Sequence, residues 1–294
     1  MRNQGALEYI CKMEENIMSE CTHDCSSCSA DCSSREGGIA KKPLNGFSSV
    51  KKVIGVVSGK GGVGKSMVTA LSAVAANRDG YKVGILDADI TGPSIPKMFG
   101  QSGQVEPSEM GLMARETAGE IKLMSINLLT ENETDPVIWR GPVIAGVVEQ
   151  FWTDVYWGDL DVLFVDMPPG TGDVPLTVFQ SLPIDGIIVV TSPQELVSMI
   201  VAKAVNMAKL MNVPVLGLVE NMSYYECPEC GKKIEIFGES TAEKVAEANG
   251  IRLLEKLPIN PDLAKLADKG KIEFAAGTEM ESILSVLDEL GVEK

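Results

Sequence analysis

One octapeptide constrains this chain more than any other stretch: Gly59-Lys60-Gly61-Gly62-Val63-Gly64-Lys65-Ser66. Every fixed position of the phosphate-loop pattern G-x-x-x-x-G-K-[ST] is met. Before it, Val53-Ile54-Gly55-Val56-Val57-Ser58 reads as a buried parallel strand. After it, Met67 to Ala76 reads as a helix closed by Gly80. That context makes a chance match in a glycine-rich loop the weaker reading. Glycines let the backbone turn tightly and bring N–H groups onto phosphate oxygens. The helix N-terminus adds a positive partial charge. Lys65 is placed to reach the β- and γ-phosphates of a nucleotide and Ser66 to ligate magnesium, with Gly59 to Met67 as the cradle.

From Val53 onward strand and helix patterns alternate, which predicts an α/β domain: a mostly parallel central sheet with helices on both faces. Strand Lys82–Leu86 runs into Asp87-Ala88-Asp89, where open parallel sheets bind ligands. Strand Asp161–Asp166 ends in a carboxylate that would hold magnesium directly or through water, the Walker B arrangement. Alone that signal is weak; downstream of a phosphate loop it is strong. Further strands are expected over Gly186–Thr191, Val213–Val219, Arg252–Leu257 and Lys232–Phe237. Helices are expected over Val143–Phe151, Glu195–Met211, behind a capping box at Ser240-Thr241-Ala242-Glu243, from Asn260-Pro261 to Gly270, and over Glu279–Leu290. Residues 97–135 read as a surface excursion, with strand character only at Ile121–Ser125.

There are 7 cysteines, and their spacing matters more than their number. Cys21, Cys25, Cys28 and Cys32 fall within twelve positions of a segment lacking hydrophobic periodicity. Four thiolates on a short loop can wrap one cluster or one zinc; the alternative is a tail with incidental cysteines. His23 reads as a bystander and Cys11 as a plain thiol. Residues 1–48 are expected as a flexible Cys-rich segment and linker, and residues 49–294 as the nucleotide-binding domain. Met18 is an alternative start to Met1. In the second half, Cys227-Pro228-Glu229-Cys230-Gly231 is a metal knuckle that supplies only two of four ligands. Either the N-terminal cysteines complete it or a second subunit does. A redox dithiol is the competing reading.

A net charge of −15 argues against a nucleic-acid partner. No apolar run approaches the ~18 residues of a membrane span, and Met1 to Ser19 lack a secretory pattern. A cytoplasmic location, where thiols stay reduced, is expected.

Lys60, at the start of the loop, resembles the extra lysine of the deviant phosphate loop in the family containing MinD, ArsA and the nitrogenase iron protein. The resemblance implies that Lys60 crosses a dimer interface to the partner's nucleotide. It also implies that Asp89 orients the attacking water, that Asp87 contacts magnesium through water, and that the Gly170 N–H senses the γ-phosphate. It puts Asn221 at the adenine edge, with a turn-capping asparagine as the alternative, and Pro258 beside the base. Together with Asp87-Ala88-Asp89-Ile90-Thr91-Gly92-Pro93-Ser94, Asp166-Met167-Pro168-Pro169-Gly170-Thr171-Gly172-Asp173 and Cys227-Pro228-Glu229-Cys230, the chain from about Val50 onward is similar to Mrp/ApbC-type iron–sulfur cluster carriers and the related Nbp/Cfd scaffolds. That resemblance implies a homodimeric ATPase binding ATP and Mg²⁺. It would carry a [4Fe–4S] cluster between subunits at Cys227 and Cys230, with apo iron–sulfur proteins and assembly factors as partners. The N-terminal cysteines resemble the extra cluster of the Nbp scaffolds, with tighter spacing; iron–sulfur and zinc both remain open. A MinD- or ParA-like spatial regulator and a zinc-stabilised NTPase are the alternatives. The acidic tail Leu287–Lys294 offers neither the amphipathic membrane helix nor the basic face that such a regulator needs.

Overall fold

Buried β-branched runs dictate the sheet. Ser49–Ser58 (β1) has its last six residues buried, and Asp159–Asp166 (β8) its last seven. Both therefore belong inside a sheet covered on two sides. The computed structural model describes residues 41–294 except Thr91, 131–140, Thr171, 194–196 and 276–278. The Cys21–Cys32 group, Cys11 and His23 lie outside the described residues.

Val83–Asp87 (β2), Lys122–Met124 (β6), Gly186–Thr191 (β9), Val215–Glu226 (β10) and Leu253–Pro258 (β12) complete a parallel core in the order β12-β10-β9-β1-β8-β2-β6. β1 is central, between β8 and β9, and both pairings are parallel. Arg115–Glu116 (β5) and Lys233–Ile234 (β11) add short antiparallel edges to β6 and β10. Register puts Val56 beside Asp166 and Asp166 beside Asp87, so two acidic strand ends stop level with Val56, two residues before β1 gives way to the phosphate loop.

Alternating residues of each strand feed two cores. Val53 and Val57 join one with Val148 and Phe151 of helix Gly141–Thr153 (α3), Phe179 of Asp173–Ser181 (α4), Val201 of Val197–Leu210 (α5) and Val245 of Ala242–Asn249 (α6). Ile54 and Val56 join the other with Val68 and Leu71 of Lys65–Arg78 (α1), Ile95 of Ile95–Met98 (α2), Leu263 of Pro261–Asp268 (α7) and Ile283 of Ser282–Glu289 (α8). Helices thus cover both faces, as the strand patterns predict.

Three local expectations differ. Within residues 97–135, Pro107–Ser108 (β3) and Gly111–Met113 (β4) pair with each other, and β4 pairs with Val155–Tyr156 (β7) as a small second sheet. Strands of two or three residues are too short to show periodicity. The predicted strand Lys232–Phe237 contracts to Lys233–Ile234, while β10 runs on to Glu226 to meet it. The capping box does not close: the Ser240 Oγ accepts from the Ala242 N–H (3.3 Å), and Glu243 pairs instead with Lys256 of β12 (2.5 Å). The Asn260 cap does form, its Oδ1 accepting from the Asp262 and Leu263 N–H groups at 3.0 and 3.3 Å.

Candidate functional site: a nucleotide cavity and a thiol hairpin

β1 ends at Ser58, and the chain turns through the glycine loop into α1, whose N-cap is Gly64. Gly64 has φ +79, where only glycine sits without strain. A Cβ there would also lie 2.1 Å from the Asn221 Nδ2. Gly59 is needed for a different reason: a Cβ on it would come within 1.9 Å of Ile200 on α5.

Lys65 is buried at the base of α1. Its Nζ lies 2.7 Å from Asp166 Oδ1 and 3.8 Å from Asp89 Oδ2. The Ser66 Oγ donates to Asp166 Oδ2 (2.6 Å), and the Thr69 Oγ1 to Asp166 Oδ1 (2.8 Å). Thr69, one turn into α1, carries no motif signal and was missed in the sequence. Asp87 accepts from the N–H groups of Asp89 (3.2 Å) and Ile95 (3.4 Å) and from the Ser125 Oγ (3.2 Å). Burial pushes the Asp87 carboxyl up to about 8, and the charge of Asp166 adds to the rise while Lys65 opposes it. The Gly170 N–H donates to the Ser58 carbonyl (2.8 Å), which pins the loop after β8 to the mouth of the phosphate loop.

These groups open into a cavity of about 610 Å³. Gly61, Gly62, Gly64, Lys65, Ser66 and Met67 line it with Asp89. Phe237, Pro258, Ile259 and Leu263 line it as well, with Asn221 and Met222, both of which lie against Gly64. Gly59, Lys60, Val63, Asp166 and Gly170 do not line it; the Lys60 carbonyl accepts from the Ser58 Oγ (3.0 Å). Asn221 has both ends of its amide engaged. Its Nδ2 donates to the Val63 carbonyl (2.9 Å), and its Oδ1 accepts from the N–H of Met222, which has φ 57. That is the geometry of the turn-capping alternative, and it also clasps the phosphate loop.

The strand that carries Asn221 ends at the cysteines. Tyr225 and Glu226 pair with Ile234 and Lys233, the Cys227 N–H donates to the Lys232 carbonyl (3.0 Å), and the Gly231 N–H to the Cys227 carbonyl (2.9 Å). The knuckle is thus the tip of a hairpin, with Cys230 exposed and Cys227 half-buried. Hydrogen bonds from the backbone of Glu229, then of Cys230, hold the Cys227 thiol below its ordinary value. Among the described residues no group of three or more His, Cys, Asp or Glu side chains is gathered for a metal.

Phosphate loop, acidic strand ends and parallel sheet together define a P-loop NTPase, the fold of ATP-binding and ATP-hydrolysing enzymes. The model of the ParA family, described as the NUBPL iron-transfer P-loop NTPases, matches residues 49–290, and the chain belongs to that family, in its iron–sulfur cluster carrier branch. The iron-sulfur cluster carrier protein of Clostridium perfringens is 48% identical over 284 residues, which is 91% of this chain and 98% of that one. The carrier protein of Methanocaldococcus jannaschii is 47% identical over 226 residues, 76% and 78% of the two chains. A solved nucleotide-binding protein of Archaeoglobus fulgidus in complex with ADP superposes with TM-score 0.69 at 47% identity, over 76% of this chain and 88% of that one. MinD of Aquifex aeolicus, at TM-score 0.56 and 18% identity over 83% and 98%, shares the fold.

Proposed function

We propose that this chain hydrolyses ATP to govern a [4Fe–4S] cluster held between two copies by Cys227 and Cys230 of each, and passes that cluster to apo iron–sulfur proteins. The observation that carries the reading is the thiol hairpin. It presents two sulfurs with no third ligand among the described residues, at the end of the strand that clasps the phosphate loop. Two such pairs across a two-fold axis supply the four thiolates that a cluster needs. Ile234 and Ile236, 44% and 55% exposed beside the pair, give this face apolar surface for a second copy to cover. The relatives named as carriers support the same cargo.

The phosphates of ATP enter the glycine loop, and Lys65 moves from its carboxylate partners to them. Ser66 and Asp166 offer the hard oxygen ligands that Mg²⁺ takes, so the residues present fit that ion. Bound there, it neutralises phosphate charge. Asp89 positions the water that attacks the γ-phosphorus, leaving ADP and phosphate. The Gly170 N–H exchanges the Ser58 carbonyl for the γ-phosphate, and Lys60 reaches the nucleotide of the other copy. Asn221 and Pro258 border the base. Residues 49–294 act as this ATPase domain, and Cys21, Cys25, Cys28 and Cys32 of the 1–48 segment hold a second cluster or a zinc. The carrier works in the reducing cytoplasm with apo-proteins and assembly factors, without nucleic acid or membrane. Among the described residues no helix is long and apolar enough to cross a membrane.

The test uses full-length protein with Cys21, Cys25, Cys28 and Cys32 changed to Ser, reconstituted anaerobically with iron and sulfide. The expected result is charge-transfer absorption and about four iron atoms per two chains. Cys227→Ala abolishes both and leaves ATP affinity within about twofold. A full cluster complement in Cys227→Ala sinks the assignment.

A further inference from the structure

The nucleotide cavity is lined by apolar side chains as well as by the phosphate loop. Met222, Pro258, Ile259 and Leu263 line it together with the ring of Phe237. The first four come from β10, from β12, from the chain leading into α7 and from α7 itself. Phe237 arrives from elsewhere: it sits three residues beyond β11, on the return arm of the thiol hairpin. A turn closed by the Gly238 N–H on the Glu235 carbonyl (3.2 Å), with Gly238 at φ +92, sets its position. Phe237 is 49% exposed, although phenylalanine is ordinarily buried. A flat apolar face left open on the wall of a nucleotide cavity matches a flat π-system. From the same ring the chain leads back along β11, paired with Tyr225 and Glu226, to Lys232, whose carbonyl holds the Cys227 N–H.

We propose that Phe237 stacks on the base of the bound nucleotide and so ties filling of the cavity to the setting of Cys227 and Cys230. This deepens the carrier reading and rests on it, because it names the residue through which the thiol pair feels the nucleotide. Stacking on an aromatic side chain tolerates every base, since each has a π-face. Phe237 therefore supplies affinity rather than choice of base. Coupling between two bound groups is reciprocal, so the nucleotide alters the thiols as much as the thiol hairpin alters nucleotide affinity.

The test compares Mg-ATP with Mg-tripolyphosphate, which fills the phosphate loop without a base. In Phe237→Ala the dissociation constant for ATP rises about tenfold, and that for tripolyphosphate stays within about twofold. Phe237→Trp retains ATP affinity. Iodoacetamide alkylation of Cys227 and Cys230 is then followed by peptide mass spectrometry in cluster-free full-length protein, with and without saturating ADP. In the wild type the rate changes by about threefold or more; in Phe237→Ala saturating ADP leaves it unchanged. An ATP affinity that survives Phe237→Ala overturns the proposal. So does an equal loss for tripolyphosphate, or alkylation that ADP still modulates without the ring. No iron is present in these measurements, so their failure is distinguishable from failure of the cluster assignment.

Discussion

Asp87 and Asp166 end neighbouring strands side by side, both fully buried, with the Lys65 ammonium against Asp166. Burial, with the charge of Asp166 beside it, lifts the Asp87 carboxyl to about 8. The unfolded chain has the ordinary carboxylate value near 4. The folded state thus binds this proton more tightly, and stability is undiminished below about pH 4. It declines as pH climbs toward 8, where the ionic form must be buried in full. In magnesium- and nucleotide-free buffer, Asp87→Asn should flatten that decline. Its melting temperature, relative to wild type, should rise by at least about 3 °C between pH 5 and pH 8.5. Parallel melting curves across this range would contradict the assignment of the proton to Asp87.

At the level of elements, β10 does two jobs. Asn221, within the strand, anchors the Val63 carbonyl of the phosphate loop, and the last residue of the strand precedes Cys227. Removing the amide in Asn221→Ala leaves a buried carbonyl without its donor, at a cost of about 1–3 kcal/mol. The loop then fits phosphate less well whatever the base. ATP and GTP affinities, measured by calorimetry, should fall by the same factor, about tenfold. A loss confined to ATP would show that the amide reads adenine instead. The phosphate loop, the acidic strand ends at Asp87 and Asp166, and the thiol pair were legible in the sequence, because fixed spacing around a strand end carries that chemistry. Thr69, Phe237 and the clasp made by Asn221 were not. Thr69 and Phe237 reach the site only through tertiary placement, one from the second turn of a helix and one from a hairpin arm. The short strands between Pro107 and Glu116 were invisible for another reason: two or three residues cannot show an alternating pattern. Glu243 illustrates local preference overridden, since a capping box was available and Lys256 of β12 took the carboxylate.

For the whole molecule, charge opposes assembly. Each 31.4 kDa chain carries −15, and a pair sharing one cluster brings two such charges together with two triphosphates. Repulsion of this kind is screened by salt, over a Debye length of about 30 Å at 0.01 M and about 8 Å at 0.15 M. Cluster-loaded protein with ATP should therefore sediment as a dimer at physiological ionic strength and dissociate further toward the monomer as salt is lowered. Sedimentation velocity across that range checks it. A monomer under every condition would end the two-copy proposal, and a dimer that loosens as salt rises would assign its cohesion to ion pairs rather than apolar contact.

Met222 has a positive φ within β10, between Asn221 and Cys227, and the pairing with β12 shifts register over the same stretch. The five residues beyond it form an arm of about 17 Å, at about 3.3 Å each. A swing of about 5° about that irregularity carries the tip through about 1.5 Å. Sulfur grips metal over a bond of only about 2.3 Å in zinc sites. The irregularity lies one residue from the side chain that clasps the phosphate loop; under the proposed reading, a small adjustment made where the nucleotide binds would be magnified at the sulfurs that hold the cluster.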